Sequence, residues 1–381
     1  MQAAANGALR RATAPERAIG SATLRAVKIP LLSLLILVAG CATAPVVTHR
    51  AAAPSGPTPL DLKLAEHRAL QAELRAGEER VQAAGDTYEQ KKGAYLMALA
   101  TELPSSRGVK QPLVKTIATM ASERTAVGVE LTASLKMVGD ALIERARSEE
   151  TMLAVEGKLW KVEADAWGGR AQAAAQAQVE VRDLRDAVTA LHVAQKAQQA
   201  SLSSLVTREF EFTASIGDDV HLRDVADRQL AELRADLDDR YVRLMDAAQR
   251  FDAAADRIHR RLLKGLDPRL HEQAANQLRA LLSDRDQAAA AVAAARGKLK
   301  EAVLKRAELR SQEISHDGEI AALLDSAFKD PASRDNFLIR VRDQRDDASA
   351  ARVATQTAET AFDVTRRKLA TVEGDINALG Y

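Results

Sequence analysis

Few residues in this 381-residue chain are grouped so that they could do covalent or acid–base chemistry. Cys41 is the only cysteine, and it directly follows Val38, Ala39 and Gly40 at the end of an apolar run. A single cysteine excludes an intramolecular disulfide framework and a cysteine-based zinc site. His67, His192, His221, His259, His271 and His316 never pair at helical ligand spacing, and His67 falls on an apolar seam as a packing residue. Asp236, Asp238 and Asp239 cluster, but Arg234 and Arg240 flank them, which reads as a solvated, salt-bridged face. Trp160 and Trp167 could form a ligand platform, and their spacing favours a seam contact instead. No phosphate-cradling loop, nucleophile elbow or zinc-protease helix motif is present. The expectation is therefore no catalytic, cofactor or metal site; an enzyme would have to assemble one between helices from dispersed Asp, Glu and His. One basic group stands out. Arg257, Arg260, Arg261, Lys264 and Arg269 surround a Gly265–Pro268 turn at the tip of an expected helix hairpin. Such cations could meet an anionic envelope polymer, a phospholipid headgroup or an acidic protein. The simpler role is to complement a helix C-terminus.

The elements that would hold these residues are helices. Aromatic residues make up 3% of the chain and charged residues 28%, so large side chains for a globular core are scarce. Alanine, the best helix former, supplies much of the 46% hydrophobic content. With heptad spacing, this composition is that of long helices or coiled coils. Basic and acidic residues number 54 and 53, a net charge of +1, so no electrostatic case for nucleic acid arises.

The N-terminus is organised differently. Arg10, Arg11, Arg17, Arg25 and Lys28 precede the apolar stretch Ile29–Ala39, and Glu16 is the only acid among residues 1–28. The stretch is too short to span a bilayer, which takes about 20 residues. A basic region, a short apolar core and small residues at its end make a secretory signal. Val38-Ala39-Gly40-Cys41 resembles the lipobox of bacterial lipoproteins. The resemblance covers the export signal alone. It implies that Val38, Ala39 and Gly40 fit a specialised signal peptidase and that the Cys41 thiol receives diacylglycerol. Residues 1–40 would then be a signal peptide, and Cys41 the lipidated first residue of the mature chain, anchored to a membrane rather than spanning it. Ala42, where Asp would favour retention in the inner membrane, implies the outer membrane facing the periplasm. In an organism with one membrane it implies the outer face of the cell.

Residues 41–59 carry Pro45, Pro54, Pro57 and Pro59 and read as a semi-rigid tether. Residues 60–381 read as all-α: long antiparallel helices in an elongated coiled-coil bundle, with no β-sheet. The first helix, 60–103, shows Leu74, Val81, Tyr88 and Tyr95 every seven residues, with Gly77 among the small residues that let a neighbour approach. After a break at 104–112, the spacing Leu153, Trp160, Trp167, Ala174, Val181, Val188, Gln195, Leu202 runs through Gly168-Gly169 without losing phase. This predicts one helix of about 100 residues, roughly 150 Å long, with a hinge at the glycines as the alternative. Val181, Val188, Leu184, Leu191 and Leu205 suit two-stranded packing, and Gln195 and Gln198 interrupt that seam with polar groups. Further helices are expected over 220–264, from the Gly265–Pro268 turn to about 314, over 319–328 and over 333–379. Asp218 or Asp219 is the expected N-cap of the 220–264 helix, and breaks are expected at Ser315–Gly318 and Asp330-Pro331.

The expected function is a membrane-anchored envelope lipoprotein that acts as a coiled-coil scaffold or spacer. Its partners would be the membrane, through lipid, and a protein or a second copy through helical seams; no small-molecule substrate is evident. The alternative is a helical membrane-active or pore-forming component. After Cys41 no continuous apolar run approaches the roughly 18 residues that simple insertion needs.

Overall fold

The computed structural model describes residues 59–216, 221–267 and 269–379, with side chains to residue 376. Cys41, the lipobox and the Pro-rich segment to residue 58 lie outside the described residues, as do Asp218, Asp219 and Pro268. The chain divides into Met1–Ser55 and Gly56–Tyr381, and the second unit carries eight described helices. They are α1 (Pro59–Glu102), α2 (Gln111–Trp167), α3 (Arg170–Gln176), α4 (Gln178–Ser215), α5 (Leu222–Gly265), α6 (Glu272–Ala327), α7 (Pro331–Arg340) and α8 (Arg342–Leu379). The described part is all-α, without a strand; one isolated bridge pairs Val109 with Phe328.

Ion pairs across the interfaces give the helix directions. Arg124, Glu149 and Glu156 of α2 meet Glu313, Arg296 and Arg285 of α6, so α2 and α6 are antiparallel. Arg223 and Arg260 of α5 meet Glu319 and Asp286 of α6, again antiparallel. Asp183 and Ser201 of α4 meet Arg257 and Asp236 of α5. Lys63 and Lys91 of α1 meet Asp375 and Asp347 of α8. The α2–α6 pair is thus central, with the α1–α8 pair and the α4–α5 pair packed against it.

The core follows the heptad seams. At the waist six helices share one apolar cluster, which includes Leu74, Leu142, Leu205, Leu237, Leu299 and Leu369. A fully buried leucine contributes about 1.5–3 kcal/mol. Beyond the waist, one end is closed by Leu96, Leu99, Leu103, Leu324, Phe328 and Phe337 of α1, α6, α7 and their turns. The other end gathers Trp160, Ala173, Val181, Ile258 and Leu262 from α2 to α5. Trp160 sits in that cluster as a seam residue. Gly77 lets Phe362 approach so closely that a Cβ there would lie 2.9 Å from its ring.

Three expectations about the helices need correction. First, the chain reverses at Gly168-Gly169. Both α2 and α5 oppose α6, and α4 opposes α5, so α4 runs back against α2. Gly168 takes φ 74° and caps α2 with its N–H on Ala164 O, while Gly169 takes φ 137°. These angles favour glycine. The α2 helix is therefore about 85 Å long rather than about 150 Å. The seven-residue phase survives the corner because Trp160 on one arm and Val181 on the other face the same cluster. Second, α6 continues through Ser315–Gly318, and the separate 319–328 helix is part of it. Gly318 is there for close packing: a Cβ would lie 2.9 Å from Ile216 Cδ1. Third, the last helix divides at Val341 into α7 and α8. Asp330 caps α7 by accepting from Ser333 N at 2.8 Å, with Pro331 in the first turn. The division buries both Phe337 and Val341 in the end cluster.

Candidate functional site: three layers of buried charge

The most unusual feature of the bundle is charge on seam positions. Along α6, Leu278, Arg285, Val292, Leu299, Arg306, Glu313 and Ile320 recur every seven residues, and all are buried. An arginine or glutamate in such a stripe must bring partners, because an unpaired buried charge is prohibitively costly. The partners come from neighbouring helices and form three layers.

In the upper layer Arg124 of α2 is fully buried. It donates to Glu89 at 2.9 Å, to Asp317 at 3.2 Å and to Glu313. Glu313 also accepts from Arg310 and from the Tyr88 hydroxyl at 3.1 Å. Burial works against ionisation of Glu313, but Arg124 and Arg310 hold its carboxyl well below the ordinary range. Arg306 bridges Glu209 of α4, at 3.0 Å, and Glu359 of α8, at 3.2 Å. Gly128 makes room for this layer, since a Cβ there would lie 2.0 Å from Glu89 Oε2.

The middle layer joins α1, α2, α6 and α8. Arg145 donates to Glu149 at 3.1 Å and to Glu373 at 3.2 Å. Arg296 donates to Glu149 at 3.1 Å, and His67 lies 3.4 Å from Glu373. Both carboxyls accept from the same Arg145 Nη1, so the ionisation of each bears on the other. Burial raises Glu149 above its ordinary value despite Arg145. Glu373 is lowered against its burial by the charge of Arg145 and by hydrogen bonds to His67 and Glu149.

The lower layer is built on His259 of α5, whose side chain is 0% exposed. Its Nδ1 lies 2.8 Å from Glu163 and its Nε2 2.7 Å from Glu156. A ring with both nitrogens donating to carboxylates is an imidazolium. Burial would lower its pKa, but the two hydrogen bonds win and raise it from 6.5 to about 9. Arg285 adds a bond to Glu156 at 2.7 Å, and Trp160 stands edge-on to the imidazole at 5.3 Å. Chemically, these layers tie helices distant in sequence to one another through paired buried charges.

Of the residues expected to act, Val38, Ala39, Gly40 and Cys41 lie outside the described residues. The basic hairpin tip is partly spent on internal pairs. Arg260 binds Asp256 and Asp286, and Arg257 lies 3.7 Å from Asp183. Arg261, Lys264 and Arg269 are exposed and make no ion pair among the described residues. The Asp236–Asp239 cluster is a half-exposed, salt-bridged face: Asp236 pairs with Arg240, Asp238 with Lys300 and Asp239 with Arg243. Reading the carboxylates as solvated missed the layers. The available signal was Glu209, Arg285, Arg306 and Glu313 standing in phase with leucines and valines. Comparison with known proteins finds no match to the chain among protein families, curated proteins or solved structures.

Proposed function

We propose that the protein is a membrane-anchored envelope lipoprotein whose helical bundle acts as a structural and interaction element, a scaffold or spacer. One observation carries this reading: the only cysteine of 381 residues follows Val38-Ala39-Gly40 at the end of a short apolar stretch behind a basic segment. In this account residues 1–40 direct export and are removed, Cys41 carries diacylglycerol, residues 41–59 form a proline-rich spacer, and the bundle is displayed beyond it. By the lipoprotein resemblance, Ala42 in place of Asp supports an anchor in the outer membrane facing the periplasm, or on the outer face of a cell with a single membrane.

The bundle suits this role because its buried charge specifies which helix meets which. A buried ion pair is weak evidence for net stability, and its best-attested use is to fix register. Arg124, Arg145 and His259 each tie together helices distant in sequence, which preserves one arrangement of a long rod. Partners would be bound on its outer faces, with the exposed Arg261, Lys264 and Arg269 available to an anionic one.

Replacing Cys41 by Ser and separating membranes from soluble material tests the anchor. Release of the variant is expected; continued membrane attachment would overturn it. Dye leakage from phospholipid vesicles treated with the full-length lipidated protein separates the scaffold from the membrane-active alternative. Intact vesicles are expected, and clear dye release would reject the scaffold.

A further inference from the structure

A half-open cavity lies at the waist, where α2, α4, α5, α6 and α8 meet, beside the middle charge layer. Gln195 and Gln198, which interrupt the α4 seam, are among its lining residues. Gln198 faces the Tyr241 hydroxyl and holds down the rise that burial gives its pKa. Gln195 and Gln199 line the cavity, and their amides have no hydrogen-bond partner among the described residues. Three guanidinium groups join them. Arg145 uses Nη1 and Nη2 on Glu149 and Glu373, leaving a buried Nε without a hydrogen-bond partner among the described residues. Arg296 uses Nε and Nη2 on Glu149, leaving Nη1, and Arg366 uses Nη2 on Asp363, leaving Nε and Nη1. The carboxylates nearby are already engaged: Glu149 by Arg145 and Arg296, Glu373 by Arg145, and Asp363 by Arg366 and Arg367. The polar wall therefore offers more donors than acceptors. The remaining wall is apolar, with Leu244, Met245 and Leu299.

Size narrows the occupant. The cavity volume is ≈ 60 Å³. That is space for roughly four to six waters, or one molecule of about four or five heavy atoms. An ionised carboxylate is an acceptor-only group that guanidinium donors match, and a short alkyl group fits the leucine–methionine wall. We propose that this cavity binds a small monocarboxylate of acetate or propionate size. Its oxygens would face Arg296, Arg366 and the amides of Gln195 and Gln199, and its methyl end Met245. The site is independent of the lipid anchor.

Methyl NMR of the full-length protein in detergent tests this, with the Met245 signal assigned through Met245→Leu. Titration with sodium acetate, against sodium chloride at equal ionic strength, should move the Met245 signal saturably with acetate alone. Arg366→Gln and, separately, Gln199→Leu should each weaken binding, about tenfold or more for the charged donor. Gln199→Leu leaves every ion pair intact, and far-UV circular dichroism checks that both variants remain folded. A shift that never saturates, or saturates equally with chloride, would overturn the proposal. So would unchanged acetate affinity in both folded variants. Inorganic phosphate binding more tightly than acetate would overturn the carboxylate assignment.

Discussion

Replacing His259 by Gln should change both the stability of the protein and its dependence on pH, by amounts that follow from the clamp. In the native bundle the imidazolium sits between Glu156 and Glu163 with no exposed side-chain surface. Its pKa is about 9, against 6.5 when exposed. A histidine whose folded pKa is raised contributes stability that is complete below its unfolded pKa and lost as pH rises through the folded one. The window here runs from about pH 6.5 to beyond 9, and a rise from 6.5 to about 9 is worth about 3 kcal/mol. Glutamine can donate to one carboxylate but carries no charge. Glu156 keeps Arg285, whereas Glu163 is left with a neutral neighbour, at a cost of about 3–5 kcal/mol below pH 6.5. Urea unfolding followed by far-UV circular dichroism, repeated from pH 6 to pH 10, measures both effects. The gap between wild type and variant should narrow by about 3 kcal/mol as pH rises. Adding Glu163→Gln to the variant should recover part of the loss, because the stranded charge is removed. Without His259 the buried Glu163 itself takes up a proton more readily, so the decisive comparison is with the His259→Gln, Glu163→Gln double variant, which lacks both groups: pH profiles parallel to wild type would refute the reasoning.

The other predictions concern the corner, the interior of α6, the upper layer and Glu149. Gly168→Ala and Gly169→Ala force alanine into positive φ and should each cost about 1–2 kcal/mol by thermal unfolding. Gly297→Ala lies inside α6 with open space around it and should stabilise by about 0.5–1 kcal/mol. Arg124→Met leaves Glu89, Glu313 and Asp317 without their shared cation and should lower stability by about 3–5 kcal/mol in urea unfolding. Glu149→Gln should flatten the stability profile above the ordinary carboxylate range. The raised wild-type group favours folding while protonated, and that contribution fades as pH rises through its folded pKa.

Much of the fold was legible because heptad spacing records which side chains face a core. Leu74, Val81 and Tyr88, and Val181, Leu184 and Leu191, are buried as their spacing requires. The turn at 103–110 and the Asp330-Pro331 start follow from proline, glycine and capping chemistry. Spacing does not record where the core leads. Trp160 and Val181 stay in phase across Gly168-Gly169 because both arms of a hairpin face one cluster, so periodicity alone could not separate a corner from a straight helix. Gly318 was misread for a related reason: a glycine that admits Ile216 looks, in sequence, like one that ends a helix. The charged layers were hidden because a salt-bridged surface and a buried network use the same residue types. Only phase separates them. Arg124 lies midway between the buried Ile117 and Leu131, and Glu209 midway between Leu202 and Ile216. The waist cavity was not legible: Gln195 and Gln198 read as polar interruptions of a seam, and Arg296 and Arg366 come from helices that no spacing rule brings to α4.

We have proposed that this bundle hangs from a lipid on Cys41. Mass spectrometry of the mature protein purified from membranes is the decisive measurement. An N-terminal peptide that begins at Cys41 and carries a diacylglyceryl group is expected. A mature chain that begins elsewhere, or an unmodified Cys41 thiol, would contradict it.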